Sequence, residues 1–248
     1  MNQKSIALII LSTNFYQLSY AQENKTYLVM GESNSIPFIY LDEKKEPTGF
    51  DIDILKAIAK VENLNFEYKT TIFDLLFDNL ENKKADIISS GITITPERQK
   101  RMAFSKPYFD SEQMVMVNTA HKNISNLEEL SKYNISLQKD TTSDALLKKI
   151  GGFNHLNYEE NTYLIIKNTI SGKTDAAISD SGIIQYYKNR FEKYQPKIFS
   201  IPNTKEYYGF AVRKENQELL DKINSGIKTI KENGTYEKIY NKYFSKYE

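Results

Sequence analysis

The sequence predicts an α/β protein of two lobes, each a mainly parallel sheet flanked by helices. Three observations lead there. Short apolar runs alternate with amphipathic stretches from Tyr27 to Phe244, and that alternation gives a sheet covered by helices on both faces. The pattern runs once up to Asp110 and starts again at Met114. The 248 residues also exceed the length of roughly 150 that one core usually organises.

Taken in order, residues 27–30 form the first strand. Gly49-Phe50-Asp51 opens a helix, with Asp51 suited to the N-cap or first turn and Ile52, Leu55, Ile58 and Ala59 at helical spacing. Residues 66–69 are a second strand, Phe73, Leu76, Phe77 and Leu80 carry the next helix, and residues 85–89 read as a buried strand. In the second stretch, strands fall at 114–117, 135–137 and 176–178. Helices fall at 126–130, at 142–150 and through Ile183, Ile184 and Tyr187, with Gly151-Gly152 ending the second of them. Residues 208–212 are the last strand. Two amphipathic helices close the chain, one through Leu219, Leu220, Ile223, Ile227 and Ile230, the other through Tyr236, Ile239, Tyr240, Tyr243 and Phe244. Those stripes are core positions.

The N-terminus has a separate meaning. Lys4, the apolar run 6–11 and the small residues Ser19 and Ala21 outline a secretory signal peptide over residues 1–21, cleaved after Ala21. The run is far shorter than the ~20 residues a membrane span needs. The chain contains no cysteine, so neither disulfides nor a lipid-anchored export signal are expected. A free periplasmic protein is the expectation.

Composition and motifs exclude other classes. A formal net charge of +1 gives no basic footprint for nucleic acid. The two histidines, His121 and His155, stand in no metal-ligand spacing. There is no G-x-S-x-G elbow and no phosphate-binding glycine loop. No cofactor and no metal are expected.

The informative segment is residues 89–98, SSGITITPER. It follows a buried strand, and ligands in open α/β sheets bind beyond the carboxyl ends of strands. Gly91 lets a backbone approach a ligand closely. Thr93 offers a backbone donor and a hydroxyl. Thr95 is a good N-cap with Pro96 at the first helical position, which puts Arg98 in the first turn. Its planar fork matches a carboxylate in bidentate fashion. By spacing alone, these residues equally describe a capped helix whose arginine makes a structural ion pair.

Here the sequence resembles a known family. Residues 90–98 followed by FSKPY at 104–108 look like the signature of polar amino-acid-binding proteins of ATP-driven importers, the bacterial extracellular solute-binding proteins of family 3. Pro37-Phe38 with GFDID at 49–53, LQKDTT at 137–142 and NGTYEKIY at 233–240 are similar to further family segments, in order along nearly the whole mature chain.

The resemblance implies the periplasmic-binding-protein fold, its lobes joined by two hinge strands, with lobe 1 at 22–110 and 206–248 and lobe 2 at 111–205. It implies capture of a free amino acid by hinge closure and delivery to the membrane permease of an ABC importer; a monomer is expected. Arg98, Thr93, Thr141 and Thr142 match positions that hold the ligand carboxylate, and Asp180 and the Gly91 carbonyl those that hold its ammonium. Phe38 and Phe73 match walls of the side-chain pocket, where Ser35 and Gln138 are also placed. Each has a plainer structural reading: Asp180, Thr141 and Thr142 as helix caps, Phe38 and Phe73 as core.

Two positions depart from the family pattern, and a third bears on selectivity. Ser35 stands where the family often has a stacking aromatic. Asp140 stands where a glycine is common, and is expected to face outward. Glu32, five residues before Pro37, occupies a place where relatives with polar or basic ligands put a carboxylate. A buried carboxylate needs a donor or a cation, so the expected ligand is a polar or basic L-amino acid, or cystine. The alternative is an enzyme on this fold, a cyclohexadienyl or arogenate dehydratase, with Glu32 as general acid.

Overall fold

A computed structural model describes residues 25–121 and 123–245, so the expected signal peptide lies outside the described residues. Strand β1 (Thr26–Glu32) leads into a small antiparallel sheet of β2 (Asn34–Ser35), β3 (Ile39–Leu41) and β4 (Pro47–Thr48), and then into α1 (Phe50–Glu62). Next come β5 (Asn65–Thr71), a 3-10 turn at Phe73–Leu75, α2 (Leu76–Glu81), β6 (Ile87–Ile88), α3 (Pro96–Arg101) and β7 (Ala103–Phe104). The chain crosses on β8 (Phe109–Val117) and continues as β9 (Ile135–Gln138), α4 (Thr142–Ile150), β10 (Leu156–Glu159), α5 (Thr162–Ile170), β11 (Ala176–Asp180) and α6 (Ser181–Arg190). It returns on β12 (Lys197–Tyr208) and ends with β13 (Ala211–Val212), α7 (Gln217–Glu232) and α8 (Thr235–Phe244).

Two five-stranded sheets result, ordered β5-β1-β6-β13-β7 and β10-β9-β11-β8-β12. They are mixed rather than mainly parallel throughout. Pairs β1–β5, β1–β6, β9–β10 and β9–β11 are parallel, as helical crossovers require. The remaining pairs are antiparallel: β8 runs against β11 and β12, and β13 against β6 and β7. Two other local expectations shorten: the strand expected over 85–89 pairs only at β6, and residues 128–132 form a 3-10 turn rather than an α-helix.

Strands β8 and β12 connect the lobes. They pair from Tyr208↔Phe109 to Lys197↔Val117, with an irregularity between Ser200 and Lys205. Such a break bends a strand locally. At its lobe 1 end, Tyr208 also bridges to Thr93. Here the core is aromatic: the buried Phe38 ring lies 5.1 Å from Tyr208, 5.2 Å from Phe109, 5.8 Å from Phe244 and 6.1 Å from Phe50. Among the described residues no helix is long and apolar enough to cross a membrane.

Candidate functional site

The site begins with a buried carboxylate. Asp51, in the first turn of α1, has no solvent exposure. It accepts from Ser89 Oγ at 3.0 Å and the Gly91 N–H at 2.9 Å on one oxygen, and from Tyr108 OH at 2.8 Å on the other. These bonds fix the loop that leaves β6. Gly91 adopts φ 61, and a Cβ there would meet the Tyr208 ring at 2.9 Å, so glycine is required twice over. Burial pushes the Asp51 carboxyl up to about 6 against the pull of its donors.

Beyond the loop, Thr95 caps α3, its Oγ1 accepting from the Arg98 N–H at 3.2 Å, with Pro96 at the helix start. This turn aims Arg98 back into the cleft. Its Nη1 donates to the Thr93 carbonyl at 3.0 Å, and its guanidinium lies 4.9 Å from the Phe77 ring centre and 5.9 Å from that of Phe73. No ion pair to Arg98 appears among the described residues. Burial draws its pKa down, while Asp180, Glu206 and Tyr208 oppose the shift.

Lobe 2 faces this with two helix starts. Thr141 caps α4, its Oγ1 accepting from the Asp144 N–H at 3.4 Å and donating to the Gln138 carbonyl at 2.8 Å. Thr142 is the first residue of that helix. Asp140 is exposed with φ 58, a left-handed turn that glycine adopts freely. Asp180 precedes α6, but its side chain makes no cap bond. It accepts instead from Gln113 Nε2 at 2.5 Å and from Tyr208 OH. Burial raises the Asp180 pKa, against the Tyr208 and Gln113 hydrogen bonds and the Arg98 charge.

The lobes touch across the cleft. Gln138 Nε2 donates to Glu32 Oε1 at 2.6 Å, and Thr162 Oγ1 to the Asn34 carbonyl at 2.8 Å. Glu206 on β12 accepts from Thr93 Oγ1 at 3.0 Å and Thr142 Oγ1 at 3.1 Å. A cavity of about 40 Å³ remains between the lobes. Glu32, Ser35, Phe73, Gly91, Thr93, Arg98, Gln138, Thr141, Thr142 and Asp180 all border it. Phe38 does not: its ring is fully buried among four other aromatic rings, so it is core rather than pocket wall. The Thr93 and Thr142 hydroxyls are committed to Glu206, which leaves both residues their backbone N–H groups. Sequence reasoning missed Glu206, Gln113, Tyr208 and the role of Asp51. Each acts through a partner distant in the chain, which local spacing does not reveal.

A guanidinium from one lobe and a carboxylate from the other, bordering one cavity between the lobes, define a two-lobed protein that closes over a small polar solute. The chain belongs to the bacterial extracellular solute-binding proteins, family 3, whose family model matches residues 28–246. It is 37% identical over 230 residues to a probable histidine-binding protein of Neisseria gonorrhoeae, covering 91% of this chain and 85% of that one. Among solved structures it is similar to an ancestral arginine-binding protein bound to arginine, at 36% identity and TM-score 0.82, covering 89% of this chain and 98% of that one. It is also similar to an ancestral amino acid-binding protein described as a precursor of cyclohexadienyl dehydratase, at 33% identity and TM-score 0.81, covering 89% and 96% of the two chains.

Proposed function

We infer that this protein is an exported binding protein for a polar or basic L-amino acid, which it hands to the permease of an ABC importer. The observation that carries the reading is that Arg98 and Asp180, from opposite lobes, border one cavity. Their opposite charges suit the two ends of a zwitterion. Arg98 and the backbone N–H groups of Thr93 and Thr142 take the α-carboxylate, with the α4 N-terminus behind it. Asp180 and the Gly91 carbonyl take the α-ammonium. Glu32, Ser35, Gln138 and Phe73 face the ligand side chain.

The lobes divide at 110/111 and 205/206, within β8 and β12, and closure swings them about those strands. Contacts that form only on closure shift the population to the closed form. A transporter then distinguishes loaded from unloaded protein by shape. The protein acts in the periplasm as a monomer and is not an enzyme. Most relatives whose names state a ligand name histidine or arginine and one names glutamine, which supports a polar or cationic side chain.

The test is a thermal-shift screen of the twenty amino acids and cystine on ligand-stripped protein. A ligand at 100 times its Kd stabilises by about 2.7 kcal/mol. Arginine, lysine, histidine or glutamine is expected to give the largest shift. No response to any amino acid, with turnover of prephenate or arogenate, overturns the reading in favour of the dehydratase.

A further inference from the structure

Glu206 lies one layer behind the cavity wall. It does not border the cavity, yet one of its oxygens takes the hydroxyls of Thr93 from lobe 1 and Thr142 from lobe 2. It sits on β12, opposite Ser111 of β8, where both strands cross between the lobes. The Thr142 N–H belongs to the first turn of α4, where no helical acceptor exists. Among the described residues the Thr93 N–H has no backbone acceptor either, although the neighbouring Ile94 N–H bonds the Tyr207 carbonyl at 2.8 Å. Two threonines thus keep their amides available while a third residue holds their hydroxyls away.

Building on the amino-acid reading, we propose that Glu206 is a positioning residue for the carboxylate end of the site. By gripping both threonine side chains, it sets the Thr93 and Thr142 amides toward the ligand and ties that setting to closure, because the two threonines come from different lobes. Glu206 therefore acts on what all α-amino acids share and leaves the choice among side chains to other residues.

A pH signature follows. Burial, and then the neighbouring Asp180, push the Glu206 carboxyl up to about 7 against the pull of Thr93, Thr142 and Gln113. Arg98 and Tyr208 also feel its charge, and Lys149 and Lys205 border the outer groove beside it. Opening the cleft solvates Glu206 and returns it toward the ordinary carboxylate value. Closing then takes up a proton on this group between those two values, and its ionised form weakens closure as pH rises.

The experiment is calorimetric titration of L-arginine and L-glutamine into wild type, E206Q, E206A and R98A at pH 5.5, 7 and 8.5. E206A is expected to weaken both ligands by the same factor, about tenfold at pH 5.5, with E206Q within about threefold of wild type there. The ratio of wild-type Kd to E206Q Kd should rise at least fivefold from pH 5.5 to 8.5. E206A within twofold of wild type, a pH-independent ratio, or unequal effects on the two ligands overturns the proposal, provided R98A still loses 30-fold or more. If R98A binds like wild type, the amino-acid reading itself fails, and this proposal with it. Should E206A not fold, the E206Q pH profile decides alone.

Discussion

Gln138 and Glu32, 106 residues apart, meet across the cleft through a single hydrogen bond of 2.6 Å. Both are buried, and Gln138 Nε2 also donates to the Glu160 carbonyl at 3.0 Å. Glu32 is held up at about 7 by burial, with Asp74 adding to the shift and Gln138 opposing it. A second donor or a cation on the ligand would satisfy the rest of this carboxylate.

Selectivity is therefore expected to change in Glu32→Gln. A charged hydrogen-bond partner is worth about 1.5–3 kcal/mol, so the ratio of arginine to glutamine affinity should fall roughly 10- to 150-fold at pH 8. Titration of both ligands measures it. An unchanged ratio would place Glu32 away from the ligand side chain.

Closure depends on a residue with no side chain. Gly182, in the first turn of α6, faces Phe38 of the other lobe; a Cβ there would lie 2.7 Å from Phe38 Cζ and 3.1 Å from Phe109 Cζ. The Phe38 ring is wedged among aromatic neighbours and cannot give way cheaply. Overpacking of this kind costs about 1–3 kcal/mol. Gly182→Ala should weaken ligand binding roughly 5- to 150-fold, while the urea midpoint of ligand-free protein moves little. Equal affinity in the variant would show that the lobes do not approach this closely when loaded.

Arg98 is held by its cap as well as its partners. Thr95→Ala removes the acceptor for the Arg98 N–H, a loss of about 1 kcal/mol in stability. It also frees the turn that aims the guanidinium, so affinity should fall by more than the change in Tm accounts for. Thr95→Ser, which keeps the oxygen, should restore both. Loss of stability with unchanged affinity would make the cap purely structural.

What was legible in the sequence was local. Thr95, Pro96 and Arg98 are three near neighbours whose geometry a helix start dictates, and the alternation of strands and helices needs only periodicity. Helix α5 escaped because Leu164-Ile165-Ile166 reads equally as strand or helix, although Asn161 caps it in the structure. Glu206 escaped because Thr93 lies 113 residues away and Thr142 lies 64 away; only the two crossing strands bring them together. Phe38 was placed on the pocket wall by family resemblance. Its ring is buried instead, with Gly91 and Gly182 both against it.

The deepest carboxylate makes a prediction about stability rather than binding. Asp51 is bonded entirely within lobe 1, so its shift does not depend on closure. Its folded-state value, about 6, lies above the ordinary 3.8. The folded protein therefore holds this proton more tightly than the unfolded chain does. The contribution of Asp51 to stability is complete below pH 3.8 and is lost as pH climbs to about 6. Two units correspond to about 3 kcal/mol. Urea unfolding of wild type and Asp51→Asn should show a gap in stability that is widest near pH 4 and narrows by roughly that amount by pH 7, because the amide does not titrate. A gap that widens with pH would mean that the donors from Ser89, Gly91 and Tyr108 outweigh burial and hold the carboxylate ionised.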